Sequence, residues 1–571
     1  MKFRNVAELF NKIERLSSRL KITSLLAEFY KQLNPTEARQ FTYLLQGKIL
    51  PDYYGYDFGI GEKMVEATIA FVTGYSTKDV EALFKKLGDL GLVAEELIKK
   101  RKQRALLFKE LSISEVYSTL KKIAEISGEG SVTLKQRYLG ELLNNSSPLE
   151  GRYIVRIVLD RMRIGIGDPT ILDALSWSKV GGKELRPYIE RAYNLCSDLG
   201  LVAESFLKDP GSIKEFKIEV FKPLRPALAE RLPSAEEIIK KIGPCGVEYK
   251  YDGFRMQIHK KGNEVRIFSR RLERMEHMFP DVVESAKKLP IKEIIFEGEA
   301  LAFNEKENRF YSFQETMHRR RKYGIKEASK TWPLYVYVFD VMFKEGEDLT
   351  LKPFKERREI LETIFPFKNL KRTHFKLANT AEDIKDMFNE AMEKNLEGIM
   401  AKDLNAPYTA GKREFAWIKL KKSYGKEMDT IDGVVVGYYL GTGARAKFKF
   451  GGLLVAVYNE DMDRFETIAK VGSGFTEEEM KWFSEKLNEI KINRPPNNLF
   501  YIMKPDFWVE PKLVVEIAYD NITLSSQHTC GFRNGKGYAL RFPRFVRLRT
   551  DKGIYDITTS KEIKEMYEMG K

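Results

Sequence analysis

The sequence predicts a multidomain protein: an all-α N-terminal region, an α/β (α+β) middle and a strand-rich C-terminal region. Three observations predict it. At 571 residues the chain is longer than one hydrophobic core can organise. Residues 1–215 carry apolar residues at helical spacing with little strand-like alternation. Beyond them the texture changes twice, at the proline-rich Phe221-Lys222-Pro223-Leu224-Arg225-Pro226 and again after Ser423. The boundaries read as 1–215, 216–423 and 424–571.

In the first region Val6, Leu9, Phe10, Ile13, Leu16 and Leu20 mark a helical face. An internal repeat follows. Asp89-Leu90-Gly91-Leu92-Val93-Ala94-Glu95 recurs as Asp198-Leu199-Gly200-Leu201-Val202-Ala203-Glu204, and Gly59-Ile60-Gly61-Glu62 is echoed by Gly165-Ile166-Gly167-Asp168. The near-equal spacings predict two related helical units packed about an approximate two-fold axis. Each G-I-G-acid element reads as a loop feeding a helix N-terminus. Two readings are open: backbone N–H groups that hold a phosphate, or glycines that serve tight helix–helix turns. The basic residues Arg152, Arg156, Arg161 and Arg163 before the second copy lean toward the phosphate.

In the middle region Arg255–Lys261 and Glu264–Arg270 form a hairpin pattern across Gly262-Asn263. Ile294–Phe303, Leu334–Phe343 and Gly398–Lys402 read as further strands, and 353–365 and 381–394 as helices, a sheet with much antiparallel pairing. The last region offers Asp432–Leu440, Phe448–Tyr458, Phe465–Val471 and Lys512–Tyr519 as short strands, then a helical tail at Ser560–Tyr567. A small barrel of the oligonucleotide-binding kind (an OB-fold) fits that spacing.

Composition narrows the class of function. Lys and Arg total 97 against 82 for Asp and Glu, a net +15, which favours a polyanionic partner over an ion-pair-rich surface that merely leans basic. No apolar run approaches the roughly 20 residues that span a bilayer. The N-terminus leads into an amphipathic helix instead of a signal peptide, so a cytoplasmic protein is expected. Three dispersed cysteines and five scattered histidines indicate neither a disulfide framework nor a zinc site.

One stretch carries the chemistry: Val247-Glu248-Tyr249-Lys250-Tyr251-Asp252-Gly253-Phe254-Arg255. Lys250 and Asp252 share strand parity at the end of an apolar run, and a lysine among other charges is a candidate nucleophile. The pattern K-x-D-G alone is weak, but it heads an ordered series. Downstream come Phe268-Ser269-Arg270-Arg271, Phe296-Glu297-Gly298-Glu299-Ala300, Tyr337-Val338-Phe339-Asp340, Glu397-Gly398-Ile399-Met400-Ala401-Lys402 and Trp417-Ile418-Lys419-Leu420-Lys421. This series resembles the covalent nucleotidyltransferase superfamily of DNA ligases, RNA ligases and mRNA capping enzymes. Arg541–Lys552 is similar to the terminal motif of ATP-dependent DNA ligases. With the helical N-terminal region, the resemblance to the archaeal and eukaryotic replicative type spans nearly the whole chain.

The resemblance implies a nucleotidyltransferase domain in the middle, a DNA-binding N-terminal domain and a ligase that seals nicks in replication, repair and recombination. Lys250 would take AMP from ATP as a lysyl-AMP phosphoramidate, which requires its neutral amine. A free lysine has a pKa of about 10.4, so cationic neighbours or a metal must favour proton loss. Arg255, Arg270, Arg413, Lys419, Lys421 and Mg²⁺ are the expected sources of that field. Glu299 and Glu397 are assigned to Mg²⁺ or ribose, because one or two carboxylates suit a hard cation that keeps its waters. By resemblance Glu248 lies beside the adenine, Glu299 near the ribose, and Phe339 stacks on the base from a strand end. Lys419 and Lys421 face the α-phosphate, and Asp252 shapes the turn. The last domain would reorient, presenting Arg544 and Lys552 to pyrophosphate first and a DNA face later.

Nicked duplex DNA is the expected partner, contacted through Arg161, Arg163, Gly165, Gly167, Gly59 and Gly61, and the chain is expected to be monomeric. Gln103–Phe108 loosely resembles a sliding-clamp-binding peptide without its adjacent aromatics, and an amphipathic helix end explains it equally well. An RNA ligase or capping-type nucleotidyltransferase is the alternative, disfavoured by the helical region and Arg541–Lys552. A DNA-binding protein with a decayed nucleotide site is disfavoured by the intact Lys250, Glu299, Glu397 and Lys419. An NAD⁺-using ligase would need a cysteine zinc site.

Overall fold

Helices fill the first part of the chain because apolar residues recur at helical spacing and polar caps stop each run. In the helix Phe3–Glu14, Phe3, Val6, Leu9, Phe10 and Ile13 are buried. The face does not continue to Leu20, which is 64% exposed on the next helix, Arg19–Tyr30, whose start Ser18 caps. The computed structural model describes residues 1–16, 18–101, 109–304, 307, 309–311, 315–316, 318–321, 323–421, 429–441 and 448–569. Gln103–Phe108 and the 423/424 boundary lie outside them. None of the described helices is long and apolar enough to cross a membrane.

The repeated heptapeptides occupy equivalent places. Asp89 caps Leu90–Lys99 and Asp198 caps Leu199–Lys208. Each glycine marks a close helix crossing: a Cβ at Gly91 would lie 2.7 Å from the Arg152 carbonyl, and one at Gly200 2.5 Å from the Tyr43 ring. Gly61 and Gly167 likewise sit at the N-termini of Glu62–Thr73 and Asp168–Val180. One core runs from Phe3 to Ile213 and ties these helices together.

Two of the four arginines read as leaning toward phosphate are internal. Arg156 is buried and bonds Glu14 at 2.8 Å and Asp89 at 2.6 Å; Arg152 bonds Glu14 at 2.6 Å and Glu95 at 3.3 Å. Burial alone would raise the Glu14 carboxyl, but Arg156 and Arg152 hold it at about 2. These partners are distant in sequence, which is why spacing alone suggested a surface cluster. Arg156→Met leaves both carboxylates buried without their fork. Because Arg152 still faces Glu14 and Arg163 still faces Asp89, the expected loss lies at or below the low end of the roughly 3–5 kcal/mol of an unpaired buried charge, to be read as a shift in the denaturant midpoint of the helical region.

The middle region holds two sheets. One orders Leu228–Arg231, Arg413–Lys421, Gly398–Asp403, Cys245–Lys250 and Phe375–Ala378. The other is built on Glu264–Ser269, Phe254–Lys261, Glu293–Asn304 and Leu334–Lys344. Pairing is antiparallel except where Leu228–Arg231 joins Arg413–Lys421 and Leu370–Arg372 joins Leu334–Lys344. The predicted hairpin forms across Gly262. The helices Phe354–Ile364 and Ala381–Glu393 match the expected periodic segments.

The C-terminal region contains an eight-stranded sheet around Asp429–Tyr439, Gly452–Asn459, Arg464–Val471 and Val514–Tyr519, with a separate three-stranded sheet over 521–541. The strand expected from Phe448 begins at Gly452. A helix that the strand reading passed over, Glu477–Glu489, begins with a Thr476/Glu479 capping box and buries Met480, Phe483 and Leu487. Ser560–Met569 closes the described chain.

Candidate active site

One pocket collects every nucleotide-site residue expected from the sequence except Arg544. Strand register explains the gathering. Gly398 pairs with Lys250 on one side and Lys421 on the other, and Met400 pairs with Glu248 and Lys419. Because side chains alternate along a strand, these rows put Glu248 and Lys250 on the face that carries Lys419 and Lys421. Glu397 precedes the row, its N–H donating to the Lys250 carbonyl at 3.1 Å, and its carboxylate bridges the Lys250 and Lys421 ammonium groups. Burial would raise Glu397, yet Lys250 and Lys421 outweigh it and hold the carboxyl well below its usual range.

The second sheet forms the opposite wall. Arg255 pairs with Glu299 across the strands, and Glu299 with Tyr337. Phe339 lies at a bulge, since Val338 opposes Gly298 while Asp340 opposes Glu297. The strand therefore does not end there, as the sequence suggested; the extra residue turns the ring toward the pocket. Arg255 is not a free cation: it donates to Glu297 at 2.7 Å and to the Ala227 carbonyl at 2.8 Å. Arg413 is ion-paired with Glu562 of the terminal helix. The turn after Lys250 needs its glycine, because a Cβ at Gly253 would fall 2.3 Å from the Ala300 carbonyl. That approach brings the Gly253 N–H to Glu299, 3.2 Å away.

Glu299 is shifted opposite to Glu397. Burial raises it to about 8, although Lys250 and Arg255 pull the other way. A carboxyl raised on folding holds its proton more tightly in the native state, so its cost to stability grows as pH climbs from 4.5 through about 8. Glu299→Gln is therefore expected to raise the melting temperature at alkaline pH and to change it little below pH 4.5. An equal shift at both ends of a pH series of melts would contradict this.

The terminal motif enters differently than expected. Arg544 is exposed at the start of its strand. Phe545 opposes Ile517 and Arg547 opposes Glu516, so Val546 is an inserted residue and side-chain parity changes across it. Arg547, Arg549 and Lys552 then line the pocket with Asp432. Arg547 lies 3.5 Å from Asp252, Arg549 bonds Asp432 at 3.1 Å, and Lys552 pairs with Asp432. The alternating arginines of Arg541–Lys552 were visible in the sequence, but the bulge that selects among them was not. Glu562 had no sequence signal.

The two G-I-G loops differ in their surroundings. A Cβ at Gly61 would meet nothing within 4 Å. At the second loop Asp463 of the C-terminal region accepts from the Gly167 N–H at 3.3 Å and from the Thr170 hydroxyl. Gly165 packs on Asn497. Arg161 bonds Glu62 at 2.5 Å, and Arg163 lies 3.1 Å from Asp89 and 3.4 Å from Glu510.

The residue ranges that carry these motifs match known families. Residues 2–176 match the description "DNA ligase N terminus", 226–421 "ATP dependent DNA ligase domain" and 446–552 "ATP dependent DNA ligase C terminal region". A "Probable DNA ligase" of Dictyoglomus turgidum is 47% identical over 579 residues, covering 99% of this chain and 97% of that one. The chain belongs to the ATP-dependent DNA ligase family. The "DNA ligase" of Sulfurisphaera tokodaii is 44% identical over 587 residues, 100% of this chain and 98% of its own. That of Saccharolobus solfataricus is 44% identical over 585 residues, at 99% and 97%. Family membership thus extends through all three regions of the ligase chain, including the helical region that RNA-directed relatives were expected to lack.

Proposed function

We propose that this ATP-dependent DNA ligase seals nicks in duplex DNA through a lysyl-AMP intermediate, in replication, repair and recombination. Its domains are 1–215 for DNA binding, 216–423 for adenylation and 424–571 as an OB-type barrel with a helical tail. The observation that carries the reading is the row Lys250–Gly398–Lys421 with Glu397 across it, facing the cations Arg547, Arg549 and Lys552.

In the first step the Lys250 amine attacks the α-phosphorus of ATP; the P–N bond forms as the bond to the pyrophosphate oxygen breaks. Attack requires that the ion pair with Glu397 open and that the ammonium lose a proton. Lys419 and Lys421 hold the α-phosphate, Arg270 and Arg413 add charge around the nucleotide, and Phe339 and Glu248 receive the base. A 5′-phosphate oxygen of the nick then attacks the AMP phosphorus, releasing Lys250. The 3′-hydroxyl finally attacks the 5′-phosphorus, and AMP leaves.

The pocket's oxygen donors fit Mg²⁺. Glu299 and Glu397 are carboxylates of one pocket beside the expected phosphates, and oxygen donors of this kind suit a hard cation that keeps several waters. These two residues would hold the ion, which when bound supplies positive charge to the transferring phosphates.

Gly59, Gly61, Gly165, Gly167, Arg161 and Arg163 are proposed to contact DNA phosphates. With Asp463 and Asn497 on the second loop, the C-terminal domain must withdraw before both loops can engage a duplex. A sealing assay on matched nicked DNA and nicked RNA duplexes tests the reading, with DNA joined far faster. Equal or faster joining of RNA would move the assignment to the RNA-directed alternative.

A further inference from the structure

Two cations given no role so far hold the carboxylate at the base end of the pocket. Glu248 is buried, and its oxygens are held separately: Arg358 Nη1 donates to Oε1 at 3.1 Å, and Lys402 Nζ to Oε2 at 2.7 Å. Both cations are themselves buried, Lys402 to 1% exposure. Each also grips a second group. Arg358 donates to the Thr373 carbonyl at 3.2 Å, and Lys402 to the Phe339 carbonyl at 3.0 Å. The Lys402 ammonium lies 4.3 Å from the Trp417 ring centre and 5.0 Å from that of Phe339. One ammonium therefore ties the carboxylate at the base to the backbone of the aromatic residue beside it.

An ionised carboxylate offers acceptors only, and each Glu248 oxygen keeps a lone pair after these bonds. Fixed in place, it attracts an exocyclic amine and repels a carbonyl oxygen, so it discriminates by repulsion as well as attraction. Without its two anchors the same carboxylate could rotate away from the base or take up water. We propose that Lys402 and Arg358 are positioning residues for base selection, holding Glu248 so that the site takes a 6-aminopurine nucleotide and rejects purines lacking that amine. This rests on the nucleotide reading above, in which the base lies between Phe339 and Glu248.

The test compares AMP-type loading of Lys250 from ATP and from purine riboside triphosphate, which differs only by lacking the 6-amino group. The wild-type protein is expected to favour ATP in kcat/KM by at least about 10-fold. In Lys402→Met, which keeps an apolar stem among the aromatic rings, that ratio is expected to fall to within about 3-fold, through a higher KM for ATP with kcat little changed. Arg358→Lys keeps the charge but loses the two-pronged geometry and is expected to give an intermediate ratio. Melting temperatures accompany each variant; should Lys402→Met fail to fold, the Arg358→Lys ratio decides alone. Equal losses on both nucleotides, with the ratio preserved, would overturn the positioning role. A wild-type protein indifferent to the amine would also overturn it while leaving the ligase reading intact, whereas no loading from either nucleotide would refute the nucleotide reading itself.

Discussion

Lys250→Ala is expected to leave no AMP on the protein after incubation with α-labelled ATP and Mg²⁺, while the unaltered chain is expected to gain the mass of one AMP. The expected loss is on the order of 10³-fold or more, because the substitution removes the bond-forming atom and not a neighbour that tunes it. The surroundings argue that no other amine substitutes. Lys421 shares the Glu397 carboxylate with Lys250, but it sits across the intervening strand, and Lys419 lies one register step further along. Intact mass separates the outcomes cleanly. A full gain of one AMP in the alanine variant would end the lysyl-AMP assignment to this residue.

Lys552→Ala is expected to lower AMP loading by about 100-fold while leaving the sealing of a pre-adenylated nick within a few-fold of normal. Lys552 reaches the pocket from the C-terminal region, where it pairs with Asp432 and stands near Arg549. Burial pulls the Lys552 ammonium below its ordinary value and Arg549 adds to the effect, with Asp432 opposing. On the proposed reading, Lys552 serves the leaving pyrophosphate, which departs only during loading. A pre-adenylated nick bypasses that step, so the proposed role predicts that its sealing is spared. Equal losses in both assays would place Lys552 in the shared machinery and refute a loading-specific role.

The sequence exposed the site through residues whose neighbours are set by strand register. Lys250, Glu248, Lys419 and Lys421 alternate along short apolar runs, and alternation is a local property that survives folding. Contacts that depend on long-range approach were hidden. Arg156 looked like part of a basic surface until Glu14 and Asp89 met it inside the helical core. Arg544 was expected at pyrophosphate, but one inserted residue changes the strand's parity and Arg547 lines the pocket in its place. The helix Glu477–Glu489 was masked differently: its capping box was present, but glycine-punctuated strands on either side dominated the reading.

The twin heptapeptides carry a further lesson about acid. Asp89 and Asp198 begin identical segments, yet their protons respond in opposite directions. Burial would raise Asp89, but Arg156 and Arg163 more than offset it, leaving a carboxyl below its ordinary 3.8. Asp198 is raised, because burial there outweighs the Leu201 N–H, Tyr43 and Arg39. A lowered acid contributes stability above 3.8 that is lost as pH falls through its native value, whereas a raised acid is relieved by the same protonation. Acidification should therefore loosen the copy around Leu90–Lys99 before the copy around Leu199–Lys208, an order that amide hydrogen exchange along a descending pH series would reveal. Duplicated words in a chain need not keep the same charge once each has found its own company.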